Sequence, residues 1–187
     1  MDIFVETERL ILRRLTPADV DNLSDLDSDP EVMFFINGGR PTPRHEIEAD
    51  LLPALLSYYE RYAGYGFWVV VERDSGAFIG WFHLRPPPDG GDPEEPELGY
   101  RFKRSAWGRG YATEGSRALI DKAFRDLGAR RVFAQTMAVN AASRRVMEKA
   151  GLTFARAFHQ PWPDAIPGDE HGDVEYALTR EEWERAR

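Results

Sequence analysis

The hydrophobic pattern opens as a strand: in ERLILRRLTPADVDNLSDL, Leu10 and Leu12 alternate with Ile11 and Arg13. Thr16-Pro17 ends it, because threonine caps a helix and proline takes the first helical position. DPEVMFFINGGRPTPRHEIEADLLPALLSYYERY predicts a short helix, a Gly/Pro-rich loop and a second helix from about Arg44, which Pro53 perturbs. GFWVVVERDSGAFIGWFHLR predicts a hairpin turning at Asp74-Ser75-Gly76, PPPDGGDPEEP a loop, and ELGYRFK a further strand. In ATEGSRALIDKAFRDLG, Ala112, Leu119, Ile120, Ala123, Phe124 and Leu127 recur at helical spacing, and Gly128 is the stop. RRVFAQTMAV predicts a strand. NAASRRVMEKAG predicts a short helix with Asn140 as its cap and Gly151 as its terminator, and GDVEYALTREEW a closing strand and terminal turn. Without an internal repeat or long linker, this is the pattern of one mixed α/β domain over residues 1–187.

Composition narrows the function classes. Zero cysteines exclude a disulfide framework, thiol catalysis and a Cys-type zinc site, and no metal is expected. A formal net charge of -8 argues against a binder of nucleic-acid phosphates, which needs clustered Lys and Arg. MDIFVETERL is not a secretory leader, and no apolar run approaches the roughly 18 residues of a membrane span. The expectation is a cytoplasmic chain without a membrane or nucleic-acid partner, as monomer or homodimer. Local charge departs from the total: Arg101, Lys103, Arg104, Arg109 and Arg117 surround WGRGYATEG, whereas DGGDPEEPE before it is acidic, and a solvated surface is the simpler reading of the acidic run.

WGRGYATEG, Trp107 to Gly115, carries the chemistry. A strand that passes through a glycine-containing turn into a helix presents unpaired backbone N–H groups at the positive end of the helix dipole, which is an anion site. Gly108 and Gly110 let an anion approach the main chain with no Cβ in the way, and Arg109 adds a charge at the rim. The expected ligand is a phosphate or pyrophosphate. It is not a P-loop, since no Gly-Lys-Ser/Thr follows, and the full G-x-G-x-x-G fingerprint is absent.

TERLILRRLTPADVDNL, SGAFIGWFHL, ELGY, WGRGYATEG and VNAASRRVMEKAGLTF follow one another over nearly the whole chain. With them the sequence resembles the GNAT superfamily of acyl-CoA-dependent N-acetyltransferases, in the RimJ/RimL-like branch. The resemblance implies an α/β (α+β) fold with a splayed, mixed, mostly antiparallel central sheet flanked by helices, and acyl-CoA between two neighbouring central strands. It implies a pyrophosphate loop from Trp107 to Thr113, with Gly108, Arg109, Gly110, Tyr111 and Ala112 as contacts. Pantetheine would pair with the backbone of Tyr100, Arg101 and Phe102, and Asn140 and Ser143 match positions near pantetheine and the thioester sulfur. Two positions depart from the family: the loop's usual leading Gln or Arg is Ser105, beside Arg104, and the tyrosine often used as general acid is Met147.

Amine attack on a thioester needs a neutral nitrogen, and a lysine-like ammonium, pKa about 10.4, is about three units too protonated at neutral pH. A carboxylate or an ordered water can remove that proton. Glu97, at the start of the strand leading into the loop, is the first candidate base; a hydrogen-bonded structural carboxylate is the other reading. His83 is the reserve, or simply a packed strand histidine. The departing thiolate calls for a donor, and with Met147 unable to serve, Ser143 is the nearest family-matched hydroxyl; Ser143 and Asn140 also read as ordinary residues of a helix start. Glu97, Ser143 and Asn140 are thus the candidate catalytic set. His159 and His171 lie in a Pro-rich loop that either lines an acceptor pocket or is plain surface. Most of the aromatics Phe34, Phe35, Tyr58, Tyr59, Tyr62, Tyr65 and Trp68 are expected in the core.

The sequence therefore points to transfer of an acetyl group from acetyl-CoA to a primary amine, on a protein N-terminus, ribosomal in the nearest family members, or on a small molecule. The competing reading is an acyl-CoA-binding sensor or interaction protein without turnover.

Overall fold

The computed structural model describes residues 2–88 and 90–187. Its contacts divide the chain into two compact units, Met1–His83 with Tyr100–Tyr111, and Leu84–Gly99 with Ala112–Arg187.

In the first unit, β1 (Ile3–Glu6) and β2 (Leu10–Arg14) pair antiparallel, with Glu6 opposite Ile11. At the break after β2, the Asp19 carboxylate accepts from the Thr16 backbone N–H at 2.9 Å and from the Arg13 guanidinium at 2.8 and 2.6 Å. That capping arrangement starts α1 (Val20–Asp27) after the predicted proline. Asp29 accepts from Glu31 N–H to begin α2 (Pro30–Asn37), which Gly38 ends in a left-handed conformation. The helix expected from Arg44 is broken around Pro53: α3 (Arg44–Glu46), a π-type turn over Ile47–Leu51, α4 (Leu52–Leu56) and α5 (Tyr58–Arg61). The almost wholly buried strand β3 (Gly66–Glu72) pairs antiparallel with β2 and turns at residues 73–77 into β4 (Phe78–Arg85). Leu15, Leu23, Ile47, Leu52, Leu55, Tyr58, Phe67, Val69 and Val71 form the core of this unit, with Tyr59 and Tyr62 packed against it; Tyr65 and Trp68 are buried too, whereas Phe35 is half-buried and Phe34 exposed.

β5 (Glu97–Phe102) carries the chain to the glycine loop. Gly80 of β4 has φ 154°, and a Cβ there would run into the Arg101 carbonyl oxygen. Gly80→Ala is expected to lower stability by about 3 kcal/mol, read as a drop in thermal midpoint; an unchanged midpoint would show that the two backbones can part.

The second unit follows the predicted order. The buried stripe Leu119, Ile120, Ala123 and Phe124 belongs to α6 (Tyr111–Asp126). β6 (Arg131–Met137) runs parallel to β5, with Glu97 opposite Phe133. α7 (Ala141–Ala150) starts at Asn140 and stops at Gly151, φ 103°. β7 (Thr153–Phe158) was not expected and pairs with β8 (Asp173–Thr179), which also pairs with β6. The terminal turn is a helix, α8 (Arg180–Arg185), docked by Arg180 on the Ala129 and Phe124 carbonyls and by the Trp183 indole N–H on Asp121 at 2.8 Å.

Among the described residues the strands form one eight-stranded, mostly antiparallel sheet, ordered β1-β2-β3-β4-β5-β6-β8-β7. No helix among them is long and apolar enough to cross a membrane.

Candidate active site

Gly108 and Gly110 both adopt left-handed backbone, φ 70° and 82°. Only glycine does so at little strain, so the backbone path itself requires them. A Cβ at Gly108 would meet nothing within 4 Å, and one at Gly110 only the Arg9 guanidinium at 3.4 Å. The space in front of the loop is open, and α6 begins directly after it with the unpaired N–H groups of a first turn. This backbone suits a phosphate-bearing group such as the pyrophosphate of acetyl-CoA.

The loop is tethered from behind. Arg9 donates to the Arg109 carbonyl at 2.9 Å, and the Arg9 and Arg109 guanidiniums lie 4.5 and 4.9 Å from the centre of the Tyr111 ring. The Tyr111 hydroxyl donates to Glu72, which also pairs with Arg109 at 3.2 Å. Hydrogen bonds from Ser75 and Tyr111, helped by the two arginines, hold the Glu72 carboxyl below the usual carboxylate range. The Tyr111 side chain is thus an anchor, 3% exposed, and what it offers a ligand is backbone. Trp107 remains 47% exposed, with its indole N–H on the Phe102 carbonyl at 2.9 Å.

The basic cluster read from the sequence is not a free set of charges. Arg101 pairs with Asp27 at 2.7 Å, Lys103 with Asp25 at 2.6 Å, and Arg104 with Asp29 and Glu31 at 3.0 and 2.6 Å. Arg117 in the second unit donates to the Lys149 carbonyl, closing the end of α7. Exposed pairs of this kind are worth about 0–1 kcal/mol, so Arg104 and Arg109 can turn to an anionic ligand cheaply. Arg101 and Asp27, with side chains 14% and 2% exposed, cannot part without leaving a charge buried. The Arg101 side chain is therefore structural on this side, and only its backbone is available to pantetheine.

In the second unit, Glu97 forms an ion pair with Arg85 at 3.0 Å, its side chain 19% exposed. Burial pushes its carboxyl above the usual range; Arg85 opposes this and the negative charge of Glu175 reinforces it. Glu175 is itself buried, which raises its carboxyl, but hydrogen bonds from Arg156, Arg131 and Gln135 outweigh the burial and keep it ionised. A carboxylate perturbed in this way suits a base that takes a proton from an ammonium or amine near neutral pH.

Asn140 does the work of a helix cap: its Oδ1 accepts from Ser143 N–H at 3.2 Å and its Nδ2 donates to the Thr136 hydroxyl at 3.1 Å. Asn140→Ala is expected to lower stability by about 1 kcal/mol, read by denaturant titration; no loss would mean the cap is replaced by solvent. Ala112 and Thr113 are half-buried in the first turn of α6. Met147 is buried core, 3% exposed, so no donor stands where the family's tyrosine would be. His83 packs among Phe67 and Trp81, ring centres 5.4 and 6.0 Å away, whereas His159 and His171 are exposed.

Sequence reasoning missed Arg9 and Glu72, which brace the loop, and Arg85 and Glu175, which set the charge state of Glu97. None carries a local signal, since each acts across a strand pairing or at long separation.

Comparison with known proteins agrees with this geometry. The acetyltransferase (GNAT) domain family model matches residues 9–153. FsC-acetyl coenzyme A-N(2)-transacetylase of Aspergillus fumigatus is 37% identical over 186 residues, covering 97% of this chain and 78% of the relative. A GNAT-family acetyltransferase structure from Bacillus anthracis has TM-score 0.77 at 22% identity, covering 97% of this chain and 99% of the other. RimL, a ribosomal L7/L12 alpha-N-protein acetyltransferase solved with coenzyme A, has TM-score 0.78 at 19% identity, with coverages of 97% and 99%. Family match, relative and fold together place the chain in the GNAT acetyltransferase family, as an N-acetyltransferase with acetyl-CoA as its co-substrate.

Proposed function

We propose that residues 1–187 act as one acetyltransferase domain that acetylates a primary amine of a small molecule by direct attack. The observation that supports the choice of acceptor is the 37% identity, over 97% of the chain, to an enzyme named FsC-acetyl coenzyme A-N(2)-transacetylase, a name that numbers the acetylated nitrogen as the atoms of a small molecule are numbered. A RimJ/RimL-like reading, with a protein N-terminus as acceptor, is supported by likeness of fold to RimL at 19% identity. A sensor without turnover is not favoured, since the same relative is named for catalysis.

Acetyl-CoA supplies the activated thioester. Main-chain N–H groups around Gly108 and Gly110 hold its phosphates, aided by Arg109, Ala112 and Thr113 with Trp107 at the rim, and the backbone of Tyr100 to Phe102 pairs with pantetheine. Glu97 takes the proton from the attacking amine as the N–C bond forms and the C–S bond breaks. The departing thiolate, with a free pKa of about 8.5, receives a proton from Ser143 or solvent. Asn140 keeps the start of α7 in place. Competition between small amines and N-terminal peptides for limiting acetyl-CoA, read by mass spectrometry, tests the acceptor class: acetylated small amine is expected in excess, and predominant acetyl-peptide would overturn the choice.

A further inference from the structure

In the second unit the buried carboxylate of Glu175 accepts from Arg131 at 2.5 Å, Gln135 at 2.8 Å and Arg156 at 2.8 Å. Arg131 and Gln135 come from β6, whereas Arg156 comes from the edge strand β7, its side chain 57% exposed. The place of Arg156 depends on a bulge. β7 starts in register with β8, Thr153 opposite Ala177 and Phe154 opposite Tyr176; Ala155 is then an extra residue, and Arg156 falls opposite Glu175. In unbroken register Ala155 would stand opposite Glu175, and Arg156 would leave the other face of the sheet. Glu97 is on the same face as Glu175: it lies opposite Phe133, which lies opposite Ala177, two residues along β8. Two strand spacings and that offset separate the two backbones by roughly 10–12 Å, a distance over which one charge acts on another across a half-buried face. The other charges on this face are accounted for. Arg85 at the end of β4 pairs with Glu97 at 3.0 Å, Glu95 lies 3.6 Å from Arg131, and Asp173, two residues before Glu175, faces His159 and Gln160.

We propose that Arg156 is a positioning residue for acetyl transfer: by balancing Glu175, it sets the pH at which Glu97 gives up its proton and becomes the base. This rests on Glu97 as the base and deepens that reading. Arg156 acts through Glu175, not on the substrate. Glu175 stays ionised without Arg156, because Arg131 and Gln135 still donate to it. Removing the Arg156 charge therefore leaves more negative field at Glu97, and its ionised form is reached only at higher pH. Removing the charge of Glu175 itself does the opposite. An exposed ion pair adds little to stability, so a bulge that forms one points to its charge rather than to its strength.

Two readouts on the same proteins test this. Glu97 is titrated by the NMR shift of its labelled side-chain carboxyl carbon, assigned with Glu97→Gln, and the pH profile of kcat/KM is measured beside it. The proteins are the unchanged chain, Arg156→Gln, Arg156→Lys and Glu175→Gln. Arg156 is exposed, and thermal melts check that each variant is folded. In Arg156→Gln, the titration and the acid limb are both expected to move up by about half a pH unit. Arg156→Lys keeps the charge and is expected to leave them in place, and Glu175→Gln to move them down. A merely structural role would lower stability or rate without these opposite movements. A Glu97 titration unmoved by Arg156→Gln, or moved in the same direction by Arg156→Gln and Glu175→Gln, overturns the proposal. The reading of Glu97 as the base fails separately: a titration that moves as expected while the acid limb stays keeps the hold of Arg156 on Glu97 and removes Glu97 from the proton transfer.

Discussion

Glu97→Gln is expected to lower kcat by about 10²- to 10⁴-fold, the usual loss on removing a general base, with acetyl-CoA affinity close to that of the unchanged protein. The amide keeps the size of the side chain and can still accept a hydrogen bond from Arg85, but it takes up no proton. The pH profile makes the test specific. Because burial, followed by the charge of Glu175, raises the Glu97 carboxyl against the pull of Arg85, the acid limb lies above the usual value of 4.5. The ionised form is the active one, so rate is present above the raised pKa and is lost as pH falls through it. The variant is expected to lose that limb along with its rate. Activity within a factor of two, or an unchanged acid limb, would return Glu97 to the role of a structural partner for Arg85.

Gly110→Val is expected to weaken acetyl-CoA binding by tenfold or more, about 1.4 kcal/mol or above. Two effects act at this position. A β-branched residue at φ 82° is strained, worth about 1–2 kcal/mol of stability, and its Cβ stands 3.4 Å from the Arg9 guanidinium, so it also presses on the brace that sets the path of the loop. Gly108→Ala separates them: a Cβ there meets nothing within 4 Å, so its loss of stability reports strain alone, and any loss of affinity reports the ligand. Calorimetric titration read beside thermal melts gives both quantities. Unchanged affinity in a folded Gly110→Val variant would remove the loop from phosphate binding.

What the sequence shows of this protein is what depends on neighbours along the chain. Gly108 and Gly110, the Asn140 cap, the Gly151 stop and the turn at residues 74–76 are local, and each is where its spacing predicts. β1 was not expected because its four residues are only partly buried and show little alternation. β7 was not expected because five of its six residues are exposed; it is held by its ladder to β8 and by the Arg156–Glu175 pair at 2.8 Å, neither of which leaves a hydrophobic pattern. The same limit applies to charge. The arginines around the glycine loop read as a phosphate site, yet Asp25, Asp27, Asp29 and Glu31, some 70 residues earlier, take up three of the five cations. Glu97 was visible as a carboxylate in a suitable strand, whereas its charge state depends on Arg85, at the end of the neighbouring strand β4, and on Glu175, brought near by the pairing of β5, β6 and β8.

The central claim is direct transfer of acetyl from acetyl-CoA to an amine. Its most direct test is the stoichiometry of one reaction, in which the protein, acetyl-CoA and a small primary amine are mixed and free CoA thiol, acetylated amine and intact-protein mass are followed together. Equal amounts of thiol and acetylated amine, with no acetyl group on the protein, are the predicted result. Thiol release without acetylated amine, or an acetylated protein that later passes its acetyl group to the amine, would contradict it.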